Sequence, residues 1–429
     1  MTLNRRTFLG IAGGCLAAVR SDALAQVRAS VAAAASRSAQ ELARDEDFWF
    51  QVRHAFTIDR NSINLNSGSV SPAPRSVQTA MQQYWDVTNM SPSYYVDEML
   101  GPRVEVVRRR LAATFGCDSE EMAITRNTSE SMEILQFGLD LAPGDEVLTT
   151  TQDYPRMVTT WRQREKRDGI VHRAVPYPTP PSSLDEITRS IEQAITPRTK
   201  VILVCHVTYT TGQIFPVREI CQMARRRGIE TFVDGAHGFA HFPFTRDDLD
   251  CDYYGTSLHK WLLAPVGTGF LYVRKEKIPK IWPLMSAPDD RRGDIRKFEE
   301  IGTHPIALRG AVTEALTFHD SLGVGRKAAR LHYLRRRWTD RLRDLPGVTI
   351  WNADEPEQAV GIGAMSLAGI DAEKLTRFLE AKYGIHVRPR FVEDEFSCIR
   401  VTPNVFTTLE EIDLFCSAIE DAARNGVAA

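Results

Sequence analysis

Between residues 122 and 273 the sequence alternates short aliphatic runs with longer amphipathic stretches. This alternation is typical of a parallel sheet covered by helices, because each crossover between parallel strands needs room for a helix. Residues 184–195 and 217–227 have helical periodicity, and Gly228 is a suitable stop for the second of them. The chain is therefore predicted to be α/β. Strands are predicted at residues 146–150, 200–207, 230–233 and 269–273.

The length of 429 residues, 43% of them hydrophobic, predicts two domains, each with its own core. Residues 306–345 have a helical pattern that Pro346-Gly347 breaks, and a segment with mixed helix and strand signals follows. We predict a large domain over residues 66–319 and a smaller C-terminal α+β domain over residues 320–429. Residues 26–65 are predicted to be a helical arm of the kind that often packs on a partner subunit.

The first 25 residues have the three parts of an export signal. Arg5 and Arg6 precede an apolar stretch, residues 9–19, and residues 23–25 offer a small-residue cleavage site. The apolar stretch is too short to span a bilayer as a helix. The pattern predicts a twin-arginine (Tat) signal peptide, recognition by the Tat translocase and a periplasmic mature protein. The alternatives are an amphipathic N-terminal helix and lipidation at Cys15.

Charge and cysteine content exclude two classes of function. Lys and Arg number 53 against 55 Asp and Glu, so the chain has no overall positive field that would attract nucleic-acid phosphates. None of the 7 cysteines belongs to a CxxC motif or has metal-ligand spacing, and several lie in apolar runs. We therefore predict no nucleic-acid partner and no metal site. The thiols are predicted to be buried and free, although export would permit disulfides.

Polar residues follow several predicted strands, at the sheet edge where open parallel sheets bind ligands. Asn127 and Glu130 are spaced as a capping box, and the free amides of such a helix N-terminus suit a phosphate. Alone this signal is weak, because most caps serve only their helix. Asp234 ends another run and His237 follows it closely. Lys260 comes next; a single lysine is most often a snorkelling surface residue. Its surroundings are Gly255-Thr256-Ser257-Leu258-His259-Lys260-Trp261.

The order of these groups, Asp, then His, then Ser-x-His-Lys, resembles the class V aminotransferase family of fold-type I enzymes that use pyridoxal 5′-phosphate. The resemblance runs from residue 63 to residue 411, which is nearly the whole mature chain. Residues 65–69 (LNSGS) and 205–212 (CHVTYTTG) are most similar to the isopenicillin N epimerase-like branch. The resemblance implies a large domain with a mainly parallel sheet of the seven-stranded type and a smaller C-terminal α+β domain.

The resemblance also implies a role for each matching residue. Lys260 would form a Schiff base with the cofactor aldehyde, since a neutral amine is the nucleophile, and would later act as general base and acid. Asp234 would keep the pyridine nitrogen protonated, which strengthens the ring as an electron sink. Tyr154 would stack on the cofactor, and His237 would approach it. The matching phosphate positions are Thr128, Ser129, Ser257 and His259, together with Thr303 from the neighbouring subunit of a homodimer.

Arginines mark the substrate side of the predicted site. Arg400 matches the family arginine that binds an α-carboxylate in bidentate geometry, and Arg388 matches a second basic position for another substrate acid. A solvated basic strand explains Arg388 and Arg390 equally well. Tyr209 stands where desulfurase relatives carry an asparagine near the cofactor hydroxyl, so that contact is left open. Candidate wall residues are Asn66, Ser69 and Tyr95.

The reaction is less constrained than the cofactor. Cysteine desulfurases of the family need a nucleophilic cysteine in a mobile stretch after the position of Arg388. The candidate here, Cys398, is instead predicted to be a buried thiol on a strand, which disfavours a persulfide mechanism. We predict an exported, dimeric pyridoxal-phosphate enzyme that transaminates or epimerises an amino acid or a peptide-derived metabolite. The alternatives are a carbon–sulfur lyase and a non-catalytic binding protein that keeps the fold.

Overall fold

The computed structural model describes residues 23–427. Arg5, Arg6 and Cys15 lie outside the described residues, so the Tat signal peptide and its lipidated alternative stay predictions. Of the predicted signal only residues 23–25 are described, and they belong to a helical segment, α1, that covers residues 23–33. Within residues 23–427 no helix is long and apolar enough to cross a membrane.

The strands of the described chain divide between a large sheet, a smaller antiparallel sheet and a two-stranded pair. Most are short, as expected for strands joined by helical crossovers. In chain order they are β1 (Ile63–Asn64), β2 (Met122–Thr125), β3 (Glu146–Thr150), β4 (Val171–Val175), β5 (Thr199–Cys205), β6 (Glu230–Asp234), β7 (Tyr253–Ser257), β8 (Gly269–Val273), β9 (Val348–Ile350), β10 (Gly363–Leu367), β11 (Ile385–His386), β12 (Arg388–Val392) and β13 (Phe396–Val401).

The α-helices alternate with the strands through the large domain and return after β8 and β10. They are α2 (Ala39–Ala43), α3 (Glu46–Arg53), α4 (Arg75–Met90), α5 (Val104–Phe115), α6 (Thr128–Gly138), α7 (Pro155–Asp168), α8 (Leu184–Ala194), α9 (Val217–Arg225), α10 (Arg246–Leu249), α11 (Ile306–Leu322), α12 (Val324–Leu342), α13 (Ala372–Tyr383) and α14 (Leu409–Asn425).

A seven-stranded sheet with the order β2-β8-β7-β6-β5-β3-β4 forms the centre of the large domain. Strand β8 is antiparallel to both of its neighbours, and the other pairs are parallel, which confirms the predicted α/β class and mainly parallel sheet. Alternate residues of β5 face different cores: Val201 and Leu203 join one buried cluster, and Ile202 and Val204 join another. Helices therefore cover both faces, and the strands are apolar on both sides.

The C-terminal part has its own core around a four-stranded antiparallel sheet with the order β12-β13-β10-β9. Trp338 of α12, Leu379 of α13 and Phe415 of α14 share one buried cluster on this sheet. Strand β1 pairs in parallel with β11, and Leu65 joins the same cluster, so the segment before the large domain contributes to the small core.

Two predicted elements differ in extent from the structure. The strand predicted at residues 200–207 ends at Cys205, because the chain turns back and Val207 pairs with Ile214 instead. The long helix predicted at residues 306–345 is two helices, α11 and α12. Gly323 separates them with a φ of 85°, a left-handed conformation that favours glycine over other residues.

The N-terminal arm packs on its own chain. Val27 of α1 and Trp49 of α3 share a buried cluster with Phe318 of α11 and Phe406. Arg330 of α12 is fully buried and donates hydrogen bonds to the carbonyl oxygens of Ala43 (2.9 Å) and Thr407 (3.0 Å). The apolar face of the arm therefore packs within its own chain, and the expected packing on a partner subunit stays a prediction.

Candidate active site

The carboxyl ends of β5, β6 and β7 lie side by side, because these strands are parallel neighbours. Cys205 pairs in register with Asp234, and Asp234 pairs with Gly255, so the predicted acid lies at the centre of this edge. Thr125 ends β2 and Ser257 ends β7, and both are register partners of Gly269 at the start of the antiparallel β8. The topology therefore brings the residues that follow β2, β3, β5, β6 and β7 to one place.

A cavity of about 380 Å³ opens at this edge. It brings together most of the residues predicted from the sequence, and it also contains Cys205, Tyr209 and Arg390. The predicted residues that line it are Thr128, Ser129, Tyr154, Asp234, His237, Ser257, His259, Lys260 and Arg400, with Ser69 from the segment after β1.

Lys260 lies in a buried position within this cavity. Burial lowers the pKa of its amine to about 8, because the charged form loses its hydration, and the nearby Asp234 carboxylate opposes part of that shift. The Nζ atom lies 3.2 Å from Nε2 of His237. A lysine with this pKa is partly neutral near neutral pH and is therefore a competent nucleophile and base.

Hydrogen bonds from neighbouring side chains determine the orientation and the tautomer of the His237 ring. The indole Nε1–H of Trp261 donates to Nδ1 of His237 at 3.3 Å, so Nε2 is the nitrogen that carries the proton and faces Lys260. Burial, together with the positive Lys260 and Arg400, holds the pKa of His237 well below its usual range. Trp261 in turn stacks on His241, with ring centroids 3.7 Å apart. The sequence identified Trp261 only as an apolar neighbour of the lysine.

Asp234 is buried at the end of β6. One of its oxygens accepts a hydrogen bond from the backbone N–H of Ala236 at 2.9 Å. Burial raises the pKa of the carboxyl, and the Ala236 hydrogen bond and Lys260 lower it. Asp153, which precedes Tyr154, is also buried, and burial raises its pKa to about 6. Of these two acids Asp234 lines the cavity, so its carboxylate is available to a cationic partner there.

The N-terminus of α6 and the end of β7 form an anion cradle. The backbone N–H and the hydroxyl of Thr128 lie 2.9 Å and 2.8 Å from the hydroxyl of Ser257. Asn127 caps the helix by accepting from the N–H of Glu130 at 2.9 Å, as predicted, but the Glu130 carboxylate accepts from the N–H of Arg126, so the capping box is not complete. Nδ1 of His259 is buried and has no hydrogen-bond partner among the described residues. Free amides, hydroxyls and an unpartnered imidazole nitrogen suit a phosphate.

Arg400 of β13 is fully buried on the opposite side of the cavity. Its Nη2 donates to Oδ1 of Asn66 and to Oγ of Ser69, both at 2.8 Å, and its Nη1 donates to the carbonyl oxygen of Tyr209 at 3.0 Å. Burial lowers its pKa well below the usual range. Asn66 therefore orients Arg400 but does not itself line the cavity as predicted.

The two other arginines on β12 have different environments. Arg388 is the register partner of Arg400, but its side chain is exposed and does not line the cavity. Arg390, two residues further along the strand, lines the cavity with its guanidinium 5.1 Å from the centroid of the Tyr209 ring. The ring of Tyr154 packs edge-on against that of Tyr209, with centroids 5.4 Å apart. The alternation along a strand places 388 and 390 on one face, so the sequence contained the signal for Arg390.

The structure does not bring Thr303 and Tyr95 to this cavity. Thr303 is exposed and lines a second cavity of about 690 Å³ with Asp97 and Arg309. Tyr95 is half-buried in a π-helical segment, Tyr94–Leu100, which borders the same second cavity. Tyr95 therefore does not line the Lys260 cavity of its own chain, and the role of Thr303 in the site of a neighbouring subunit stays a prediction.

The described cysteines are all free thiols. Cys398 is buried on β13, and burial raises its pKa to about 12, so the predicted buried thiol on a strand is confirmed. Cys205 lines the cavity, but burial raises its pKa well above the ordinary value. Neither thiol is set up as a nucleophile.

A buried lysine of lowered pKa, an acid at the end of a central strand and an anion cradle at a helix N-terminus, on a mainly parallel sheet with a small C-terminal domain, define a fold-type I pyridoxal-phosphate enzyme. Residues 63–392 match the family described as Aminotransferase class-V. This chain belongs to that family.

Curated relatives of this chain include two kinds of enzyme. The isopenicillin N epimerase of Streptomyces clavuligerus is 32% identical over 395 residues, covering 87% of this chain and 98% of the relative. A cysteine desulfurase of Haloferax volcanii is 27% identical over 390 residues, covering 84% and 89%. A solved structure of a C-DES mutant with glycine covalently linked to the PLP cofactor is 22% identical and superposes with a TM-score of 0.77 over 86% of this chain and 99% of that one. The structural likeness confirms the predicted fold.

The family uses pyridoxal 5′-phosphate, so the predicted cofactor is confirmed, and the residues of the cavity fit it. The amine of Lys260 is available to the aldehyde, and the Asp234 carboxylate is available to the ring nitrogen. The cradle of Thr128, Ser257 and His259 offers an unpartnered buried nitrogen to the phosphate.

Proposed function

We propose that the protein epimerises or transaminates the Cα position of an amino acid, free or as part of a peptide-derived metabolite. The observation that carries this proposal is that one cavity contains the Lys260 amine, with its pKa near 8, and the buried guanidinium of Arg400. A base and a carboxylate receptor in one cavity suit a substrate with an amino group and an acid on the same carbon. The relatives named isopenicillin N epimerase support the epimerase form of the proposal.

When bound, pyridoxal 5′-phosphate supplies an aldehyde for amines and a ring that accepts electron density from Cα. Asp234 holds the proton on the ring nitrogen, because a buried carboxylate stabilises a positive charge beside it. Arg400 binds the substrate carboxylate and thereby fixes which bond at Cα is broken. Its orientation is set by Asn66, Ser69 and the Tyr209 carbonyl.

Lys260 removes and returns the proton at Cα. Its lowered pKa places the change between acceptor and donor forms close to the working pH, which is the condition for efficient general acid–base catalysis. His237 donates its Nε2–H toward Lys260, which orients the amine without competing for its proton, since the imidazole stays neutral.

The test is the visible absorption of the purified protein with pyridoxal 5′-phosphate, before and after addition of single amino-acid enantiomers. The wild type is expected to show the band of lysine-bound cofactor, Lys260→Ala is expected to lack it, and a subset of amino acids is expected to shift it. Exchange of the Cα hydrogen for deuterium, followed by mass spectrometry, then reports proton transfer. If the wild type does not bind cofactor, the binding-protein alternative replaces this proposal.

Carbon–sulfur lyase chemistry is a second candidate, favoured by the similarity to enzymes named cysteine desulfurases. A persulfide on a protein cysteine is disfavoured, because Cys205 and Cys398 are buried thiols with raised pKa values. A lyase that needs no cysteine would release sulfide from cysteine, or cysteine persulfide from cystine. Sulfide release without solvent deuterium at Cα of recovered substrate would favour the lyase over the epimerase.

The proposal includes export to the periplasm by the Tat translocase and assembly as a homodimer. The twin-arginine sequence supports export, and replacing Arg5 and Arg6 with Lys is expected to keep the protein in the cytoplasm. Fractionation of cells that express each form measures this, and unchanged export would contradict it.

The exposed position of Thr303, away from the Lys260 cavity, supports a site completed by a second subunit.

A further inference from the structure

Two arginines in the active-site cavity lack an acidic partner. Neither Arg390 nor Arg400 forms an ion pair within residues 23–427, and the Nε atom of each is buried without a hydrogen-bond partner there. The polar contacts of Arg400 are to neutral groups, and Nη1 of Arg390 donates to the carbonyl oxygen of Pro389 at 3.3 Å. Burying a cation without a counterion is costly, and Arg400 is fully buried while Arg390 is half-buried, so an anion from a ligand would stabilise both guanidinium groups.

The charges of the other cavity residues do not compensate these arginines. The charge of Asp234 is opposed by that of Lys260, since each acts electrostatically on the pKa of the other. After burial, the groups that act most strongly on the pKa of Arg400 are Arg390, Tyr209, Arg388 and Cys398, and those that act on Arg390 are Tyr209, Arg388, Tyr154 and Cys398. Burial and this positive surrounding lower the pKa of both guanidinium groups. One carboxylate on the substrate would satisfy Arg400 and leave Arg390 unpaired.

Tyr209 holds both arginines in place. Its carbonyl oxygen accepts from Nη1 of Arg400, and its ring lies under the guanidinium of Arg390. The strand register makes Arg390 a diagonal neighbour of Arg400, and diagonal neighbours in an antiparallel pair are about 7–8 Å apart, close enough for long side chains to reach one ligand. Two receptors at this spacing suit two carboxylates on one small molecule.

We propose that Arg390 binds a second carboxylate of the substrate, so that the enzyme prefers amino acids, or amino-acid units of larger metabolites, whose side chain ends in an acid. This inference rests on the proposed function, in which Arg400 binds the α-carboxylate. It assigns to Arg390 the specificity that the sequence assigned to Arg388, because Arg388 is exposed and Arg390 lines the cavity.

The test compares acids with their amides, which have nearly the same shape. Dissociation constants of aspartate, asparagine, glutamate and glutamine, each as both enantiomers, are measured from the absorption change of the cofactor-loaded enzyme. The wild type is expected to bind the acids more tightly than the amides. Arg390→Gln is expected to weaken binding of the acids by about 10-fold to 100-fold, the value of a charge-assisted hydrogen bond, and to leave the amides within about 2-fold.

Three further variants complete the experiment. Arg390→Lys is expected to restore part of the preference for acids, since it keeps the charge but loses the planar fork. Arg377→Gln, at an exposed ion pair on α13, is the control and is expected to behave as wild type. Arg388→Gln is expected to have a smaller effect than Arg390→Gln; a larger effect would overturn the assignment.

Other results also decide the matter. If Arg390→Gln weakens acids and amides equally, or weakens neither, Arg390 does not read the second acid and the inference fails while the proposed function stands. If the wild type binds the amides more tightly than the acids, the inference about Arg390 also fails and the proposed function still stands. If the enzyme binds cofactor but neither free amino acids nor amine-bearing peptides change its absorption, the proposed function itself fails.

Discussion

At the scale of single residues, burial sets the acid–base behaviour of Lys260. Because burial lowers its pKa to about 8, half of the amine is neutral near pH 8, and well below that pH the neutral fraction falls about tenfold for each pH unit. Trace labelling of the cofactor-free enzyme with acetic anhydride at several pH values, read by peptide mass spectrometry, is expected to give a midpoint near 8 at Lys260.

Lys382 is the internal reference for this labelling. It is exposed on α13, and its hydrogen bond to Asp421 raises its pKa above the ordinary lysine value. Its reactivity is expected to keep rising beyond pH 10. Equal midpoints at Lys260 and Lys382 would contradict the effect of burial, whereas a slower overall rate at Lys260 would reflect only restricted access to the cavity.

The tautomer of His237 gives a second prediction at this scale. Since Trp261 donates to Nδ1, the neutral ring carries its proton on Nε2, and Trp261→Phe is expected to populate the other tautomer. Nitrogen-15 NMR of histidine-labelled protein near pH 7 measures this. His241 is the reference, because its Nδ1 lies 2.8 Å from the His237 carbonyl oxygen and its Nε2 accepts from the N–H of Gly361 at 3.1 Å. A charged His237 in the wild type, or no change in the variant, would contradict the prediction.

At the scale of elements, the anion cradle depends on the close packing of the start of β8 against the end of β7 and the N-terminus of α6. A Cβ atom on Gly269 would lie 2.6 Å from the carbonyl oxygen of Thr256 and 2.8 Å from the backbone of Asn127. Gly269→Ala is therefore expected to push the start of α6 away from Ser257. We expect a loss of about 1–3 kcal/mol in the free energy of unfolding, as for other overpacked sites, together with weaker cofactor binding.

Gly293→Ala is the matched control for this change, because no atom lies within 4 Å of its added Cβ. Urea unfolding of both cofactor-free variants, and titration with pyridoxal 5′-phosphate, measure the two effects. If Gly269→Ala lost stability but bound the cofactor normally, the contact would matter for packing and not for the cradle.

At the scale of the whole molecule, the sequence predicted the sheet and the residues at its edge correctly, but it assigned the second substrate acid to Arg388, whereas Arg390 is the arginine that lines the cavity. Asp234 and Lys260 follow local patterns, a short apolar strand and a motif of fixed order, which a sequence displays directly. Arg388 and Arg390 share a strand face, and only the position of β12 relative to the cavity tells which of them is exposed. The break at Gly323 was missed because an isolated glycine is often tolerated within a helical pattern. The packing of the arm depends on contacts with distant parts of the chain, which no local pattern records.

The last prediction concerns the proposed homodimer. Thr303 is exposed and lines a cavity other than that of Lys260, so we expect it to act in the site of a second subunit. Thr303→Asp, which would bring a negative charge toward the phosphate, and Lys260→Ala are each expected to be inactive alone. In a mixed dimer of the two variants, one site carries both changes and the other carries neither. Unfolding the variants together and refolding them is therefore expected to restore about a quarter of wild-type activity, since half of the dimers are mixed and each has one intact site. If Thr303 served the Lys260 of its own chain, every site would keep one defect and no activity would return, and a monomer in sedimentation would exclude the shared site directly.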